Sequence, residues 1–395
     1  MVTVLVLLAA LPLALAVGVW LAQVLLGRRW AAAATPDDGG PRPRLAVLIP
    51  AHDEAGGIAA TLATLTPQLR PGDRLLVVAD HCNDATADVA RAQGAEVTVR
   101  QGAAERGKGH ALAYGAAHLA AGMAPEVLVV VDADCRLEAG SLTALARAAA
   151  THGGPVQALY LMHQPPGGEG LGARVATFAW RVKNGLRPSG WQRLGWPCQL
   201  TGSGMAWPFA RVAPAQLASA SVVEDMQLGL QLAAAGHAPR WCPEARVHSE
   251  FPSDPAAVQT QRTRWEHGHL GLLQHTALPL LGRAWGRRDA GLAALALDLA
   301  VPPLALLGVL TGALAALALV LWGLGWVSGV APLALGALLA LLVLGVVRAW
   351  WLCGRDLLGV GDLLRAPLVL LAKLPLYLRY LTRRQTRWVR TKRDR

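Results

Sequence analysis

Apolar residues fall along this chain in two rhythms, long uncharged blocks near its ends and short runs between them. Val2–Leu26 contains no charged residue. Leu299–Trp322 and Val330–Trp351 are charge-free apart from Arg348, with Gly323, Gly325, Ser328 and Gly329 as the break between them. Each block reaches the roughly 20 apolar residues that a membrane-spanning helix needs. The runs in the middle are short: Leu45–Ile49, Leu75–Ala79 and Val127–Val131 are unalternated and aliphatic, and Glu96–Val99 is a further short strand. Such runs suit parallel strands covered on both faces. Between them lie Ala- and Leu-rich stretches, from Asp53 and Glu54 to Leu69, from Ala85 to Gln93 and from Gly107 to Ala120. Short strands alternating with helices of about ten residues predict an α/β fold with a mostly parallel, doubly wound sheet.

Composition adds the membrane. With 395 residues, 53% hydrophobic and only 16% charged, the chain departs from an ordinary soluble protein. Val2–Leu26 is longer than the ~7–15 residue core of a signal peptide and has no basic residues before it, so it reads as an anchor rather than a leader cleaved near Ala31–Ala34. Arg28 and Arg29 follow it directly, which places its end and the middle of the chain in the cytoplasm of a multi-pass inner-membrane protein. Two later spans return the tail to the same side, where residues 379–395 carry eight Lys or Arg against one Asp. Arg365–Tyr380 mixes Pro367, Lys373 and Pro375 with Leu and Tyr, the pattern of an interfacial helix. Much of the net charge of +11 belongs to that tail, so no nucleic-acid partner is needed to explain it. The expected divisions are an anchor at 1–27, a catalytic domain at 40–280, two spanning helices at 290–355 and an interfacial helix with a basic tail at 356–395. Cysteines 82, 135, 198, 242 and 353 show no paired spacing, which suits free thiols in a reducing compartment.

Candidate chemistry gathers where the strands end. Asp53 and Glu54 follow the first strand, Asp80 the second, and Asp132 and Asp134 the fourth. A right-handed wound sheet brings such ends to one crevice. If the chain stays extended, Asp132 and Asp134 point to the same side and together offer oxygen ligands to a hard divalent cation. Cys135 beside them is too soft a donor to count as a ligand.

The order of motifs resembles the membrane-associated family 2 glycosyltransferases of GT-A fold. The matching pieces are Ile49-Pro-Ala-His-Asp-Glu54, Val77-Val-Ala-Asp80 with Asn83-Asp84-Ala-Thr86, Arg106-Gly-Lys-Gly109, Asp132-Ala-Asp134, Thr201-Gly-Ser-Gly204, Val223-Glu-Asp225 and Gln261-Arg-Thr-Arg-Trp265. The last is similar to the Gln-x-x-Arg-Trp pattern of cellulose-synthase-like and ceramide-glucosyltransferase-like members. The resemblance implies that Asp80 and the backbone at Ala51, Asp53 and Glu54 bind the nucleoside. Asp132 would meet the ribose or the metal, and Asp134 the Mg²⁺ or Mn²⁺, with His248 a further candidate ligand. Arg264 and Lys108 would support the diphosphate, the guanidinium as a bidentate fork. Asp225, beside Glu224 at the start of a helix over Met226–Ala235, would be the base of an inverting transfer. Gln261, Trp265, Gly202 and Ser203 would form the acceptor side.

The activity implied is transfer of a sugar from a nucleotide-diphospho-sugar, in the first instance a UDP-sugar, to a membrane-borne lipid or glycan. A processive β-glycan synthase differs from this in acceptor rather than chemistry, and a non-catalytic nucleotide-sugar sensor is the alternative from another class. Protein partners are not legible.

Overall fold

A computed structural model describes residues 1–30, 39–102, 105–165, 167–168 and 170–382. The possible cleavage site at 31–34 and the basic tail from 383 onward lie outside the described residues. The chain forms two compact units.

One unit, Trp30–Gly167 with Trp196–Gly268, is built on an eight-stranded sheet. Its strands are β1 (Leu45–Ala51), β2 (Arg74–Asp80), β3 (Glu96–Arg100), β4 (Val127–Val130), β5 (Arg136–Leu137), β6 (Val156–His163), β7 (Met205–Pro208) and β8 (Arg240–Glu250). They lie in the order β3-β2-β1-β4-β7-β6-β8-β5. The first four pair in parallel, as the buried aliphatic runs of β1, β2 and β4 predict, with Val47 opposite both Leu75 and Val129. β7 joins β4 and β6 antiparallel, β8 runs parallel to β6, and β5 pairs antiparallel with β8. The α/β class and the GT-A-like, mostly parallel sheet therefore stand. The helix over Lys108–Ala121 covers one face, packing Leu112 and Leu119 against Leu48, Val78, Leu128 and the fully buried Trp207. Each such large apolar side chain contributes on the order of 1.5–3 kcal/mol by leaving water.

The other unit gathers Met1–Arg29, Gly168–Gly195 and the chain from His269 onward. Among the described residues, three of its helices are long and apolar enough to cross a membrane: Val2–Leu26, Leu304–Gly323 and Val330–Cys353. The second starts later than the Leu299 expected, because Pro302 and Pro303 cannot continue the preceding helix, Ala290–Ala300. That helix begins where Asp289 accepts the Leu292 N–H at 2.9 Å. The expected interfacial helix is two helices, Val360–Leu371 and Leu374–Thr382, the second with Pro375 in its first turn. Leu364, Leu368, Leu378 and Leu381 on them are exposed.

One stretch within 40–280 groups with the apolar helices rather than with the sheet. Residues 168–195, folded as helix Leu171–Arg181, a π-helical turn over Val182–Leu186 and helix Arg187–Gln192, belong with the apolar helices. The reason is a buried polar knot: Arg187 donates to Gln23 Oε1 and to Asp298 Oδ1, both at 2.7 Å, and Gln23 Nε2 donates to Asp298 Oδ1 at 2.5 Å. A charge among apolar helices must find its partner there.

Candidate active site

The strand ends of the sheet unit open into a cleft of about 1320 Å³. Its wall contains Ala51, Asp53, Glu54, Asp80, Lys108, Asp132, Asp134, His248 and Arg264. The candidates for donor and metal binding are thus brought together.

At the nucleoside end, the backbone is held by side chains of the next loop. Glu54 N–H donates to Thr86 Oγ1 at 2.8 Å, and Asp53 Oδ1 accepts the Asn83 N–H at 2.6 Å. Asp53 and His81 adopt left-handed φ values of 52° and 51°, a conformation that costs non-glycine residues energy and clusters at ligand sites. Asp80, nearly buried, is held by Arg100 at 2.6 Å and by His81 Nδ1 at 2.8 Å. Arg100 carries no motif, and its role emerges only from the pairing of β2 with β3.

Asp132 and Asp134 do not continue the strand. The Cys135 N–H bonds back to the Asp132 carbonyl at 3.0 Å, closing a turn, and Thr61 Oγ1 donates to the Ala133 carbonyl at 2.7 Å. The extended geometry expected of the pair is corrected, yet the turn still sets one oxygen of each carboxylate and the Cys135 sulfur within 4.8 Å of one another. Burial pushes the Cys135 thiol up to about 12, which keeps it protonated and leaves two hard oxygen donors. Ser249 Oγ donates to Asp134 Oδ2 at 2.8 Å.

His248 stands at the cleft wall, its Nε2 2.6 Å from Glu138 Oε1 and its Nδ1 2.8 Å from His163 Nε2.

Lys108 joins the cleft to the carboxylates behind it. Its ammonium lies 2.5 Å from Asp132 Oδ1, 2.7 Å from the Gly202 carbonyl and 4.0 Å from Glu224 Oε1. Burial works against that charge, but Asp132, Glu224 and Asp225 outweigh it and hold the Lys108 pKa above its ordinary value. The flanking glycines have tertiary reasons: Gly107 sits at φ +125°, and a Cβ on Gly109 would stand 2.6 Å from the Ser219 carbonyl.

Helix Glu224–Ala234 begins at the expected acidic pair. Both residues line a separate small cavity of about 70 Å³ with Leu112, Met205 and Gln231, rather than the main cleft. Asp225 Oδ1 accepts the Met226 N–H at 2.8 Å, and its Oδ2 approaches Gly202 to 3.1 Å of where a Cβ would stand. Burial, then the charge of Asp225, pushes Glu224 from 4.5 up to about 7 against the pull of Lys108.

The acceptor candidates are also outside the cleft wall. Ser203 is fully buried and its hydroxyl accepts the Asp132 N–H at 3.1 Å, which ties it to the turn. Gln261 is 1% exposed with its Oε1 unpartnered, and Gly202 and Trp265 do not line the wall. Gln157, which no motif marks, organises this region: it donates to the carbonyls of Ser203 at 2.9 Å and Ala158 at 3.0 Å and accepts the Thr201 N–H at 2.8 Å. A lone amide in the buried run of β6 was its only trace in the sequence.

A wound sheet with acidic strand ends around an open cleft defines a nucleotide-using α/β enzyme of the GT-A type. Residues 41–268 match the model of the family described as glycosyltransferase like family 2, and the chain belongs to that family. It is a glycosyltransferase. No curated protein sequence matches it. Among solved structures, a mannosyltransferase from Pyrobaculum calidifontis, in complex with GDP-Man and Mn²⁺, is similar at 20% identity and a TM-score of 0.51, over 89% of this chain and 99% of its own. That likeness is one of fold, and it extends beyond the sheet unit. A glucosyl-3-phosphoglycerate synthase from Mycobacterium tuberculosis aligns over 60% of this chain and 88% of its own, at 20% identity and a TM-score of 0.38.

Proposed function

We propose that the protein is an inverting glycosyltransferase that moves a sugar from a nucleotide-diphospho-sugar to a lipid or glycan acceptor at the cytoplasmic face of the inner membrane. The observation that carries this reading is the single cleft into which Asp80, Asp132, Asp134, Lys108 and Arg264 all open. Asp80, fixed by Arg100 and His81, faces the nucleoside base. Asp132 and Asp134 fit a Mg²⁺ or Mn²⁺ ion, since their oxygens lie within reach of one cation and the neighbouring thiol stays protonated. When bound there, such an ion supplies charge neutralisation for the departing diphosphate. Arg264 and Lys108 add cationic hydrogen bonds to the same phosphate oxygens. A UDP-sugar is the first donor to try, and the GDP-Man carried by the Pyrobaculum structure makes GDP-sugars the second.

Asp225 is the base. It lies behind Lys108 and Gly202, so transfer of the Lys108 ammonium from Asp132 to the incoming diphosphate opens its way to an acceptor hydroxyl. Glu224 beside it holds a proton near neutrality and spares Asp225 part of the like-charge repulsion. The interfacial helices Val360–Leu371 and Leu374–Thr382 keep the protein at the headgroup layer.

Membranes bearing the protein, given radiolabelled nucleotide sugars and extracted for lipid, are expected to yield a labelled lipid or glycan. Asp225→Asn is expected to lower the rate about 100-fold or more while donor binding persists. Transfer by Asp225→Asn at the native rate would show that the base lies elsewhere.

A further inference from the structure

Behind the turn that carries Asp132 and Asp134 lies a buried polar cluster that no motif marks. β6 and β8 run parallel with Tyr160 opposite Val247 and Met162 opposite Ser249, which makes Tyr160 and Ser249 diagonal neighbours on one face of the sheet. Ser249 Oγ donates to Asp134 Oδ2 at 2.8 Å, and a hydrogen bond joins the Tyr160 hydroxyl to the Ser249 side chain. Cys135 Sγ donates to the Tyr160 hydroxyl at 3.6 Å. The two residues that follow Ala133 are therefore both gripped from the strands. Ser249 is 4% and Tyr160 5% exposed.

Polar side chains at that depth need partners, and these find theirs at the turn. An ionised carboxylate only accepts, so the Ser249 hydroxyl is the donor to Asp134, and the bond restrains the rotation of the carboxyl group. The backbone of the turn is closed by other means, the Cys135 N–H on the Asp132 carbonyl and Thr61 Oγ1 on the Ala133 carbonyl. Backbone and carboxylate are thus held by separate devices, and only the second depends on Ser249. A carboxylate held in one orientation matters most to small cations. Mg²⁺ demands near-ideal geometry from its oxygen ligands and Mn²⁺ takes the same kind of site, whereas Ca²⁺ accepts looser and more irregular arrangements. Releasing one ligand therefore costs the small ions more than it costs Ca²⁺.

We propose that Ser249, backed by Tyr160, is a positioning residue for the cation: it holds Asp134 in the orientation that binds Mg²⁺ or Mn²⁺ and gives the site its preference for them over Ca²⁺. This rests on the reading of Asp132 and Asp134 as the metal ligands. Groups that orient a ligand from behind commonly set metal affinity nearly as strongly as the ligand does.

The test is metal titration of the full-length protein in detergent, stripped of divalent ions beforehand. Bound Mn²⁺ is read from the loss of the free ion's electron paramagnetic resonance signal, and Ca²⁺ binding by calorimetry. Ser249→Ala is expected to bind Mn²⁺ about 10- to 100-fold more weakly than the wild type. Its loss of Ca²⁺ affinity should be smaller, so the ratio of the two affinities falls. Ser249→Cys, close to serine in shape but a weak donor, should lie between the two proteins, and it carries the test if the alanine variant does not fold. Tyr160→Phe should lose a smaller part of the preference than Ser249→Ala. Equal losses for both ions would make Ser249 a support of the fold alone and overturn the assignment, as would unchanged Mn²⁺ affinity in the variants or a wild type that prefers neither ion. Asp134→Asn tells this failure from that of the reading beneath it. It should abolish Mn²⁺ binding, and a protein that binds Mn²⁺ as tightly without that carboxylate removes the metal site itself, whatever Ser249 does.

Discussion

Replacing Lys108 by Met asks what holds the carboxylates behind the cleft together. The charge of Lys108 pulls the Glu224 pKa down, and Lys108 also bonds Asp132 and the Gly202 carbonyl. The side chains of Lys108 and Asp132 are 20% and 26% exposed, so solvent screens the pair in part. Leaving Asp132 and the carbonyl without that partner costs about 2 kcal/mol. The pH dependence adds a second, more discriminating signal. Glu224 titrates at about 7 in the folded protein against 4.5 as its ordinary value, because burial and Asp225 disfavour its charge. A raised folded pKa means that folding takes up a proton. Stability from this group is complete below about pH 4.5 and is lost as pH rises through about 7, roughly 3 kcal/mol in all at 1.36 kcal/mol per unit. Without Lys108 the Glu224 pKa moves higher still, so the loss continues past pH 7 in the variant after it has ended in the wild type. The deficit of Lys108→Met is therefore expected to grow from about 2 kcal/mol at pH 5.5 to about 3 kcal/mol at pH 8. Denaturant unfolding in detergent, followed by tryptophan fluorescence with a chelator present so that no divalent ion replaces the ammonium, measures it. A deficit that stays flat or shrinks between those pH values would refute the claim that Lys108 holds Glu224.

Two further substitutions address the supports of the site. Gln157→Leu leaves the Ser203 carbonyl and the Thr201 N–H unpaired inside the sheet unit, and is expected to lower stability by about 2–4 kcal/mol and to weaken donor affinity; a thermal melt and donor calorimetry at native values would remove Gln157 from its supporting role. Asp298→Ala strands the Arg187 charge, a pair only 10% and 12% exposed, and is expected to cost about 3–5 kcal/mol, whereas Arg187→Met with Asp298→Leu should recover most of it; a double-mutant cycle with no coupling would show that the knot does not hold residues 168–195 to the apolar helices.

How far the sequence carried is clearest residue by residue. Strands β1, β2 and β4 were legible because buried parallel strands need unbroken aliphatic runs, whereas β3, at the sheet edge and only partly buried, offers just a short Glu-Val-Thr-Val stretch. The Asp132–Asp134 pair was legible in place but not in geometry, since alternation along an extended chain cannot foresee that Cys135 turns back on Asp132. The Gly-Lys-Gly loop was weak as a pattern because Gly109 answers to Ser219, far along the chain. Ser203 shows another limit: the Thr-Gly-Ser-Gly motif places it near the carboxylates, but not that its buried hydroxyl accepts the Asp132 N–H. Gln23 and Gln157 mark what a lone sequence still offers. Each is a strongly polar side chain in an apolar run, and an apolar surrounding obliges such a group to find a partner. What pattern cannot supply is the partner's identity, because Gln23 meets Arg187 and Asp298 across 164 and 275 residues of chain. That separation is why residues 168–195 read as part of the soluble domain although their buried arginine belongs among the apolar helices.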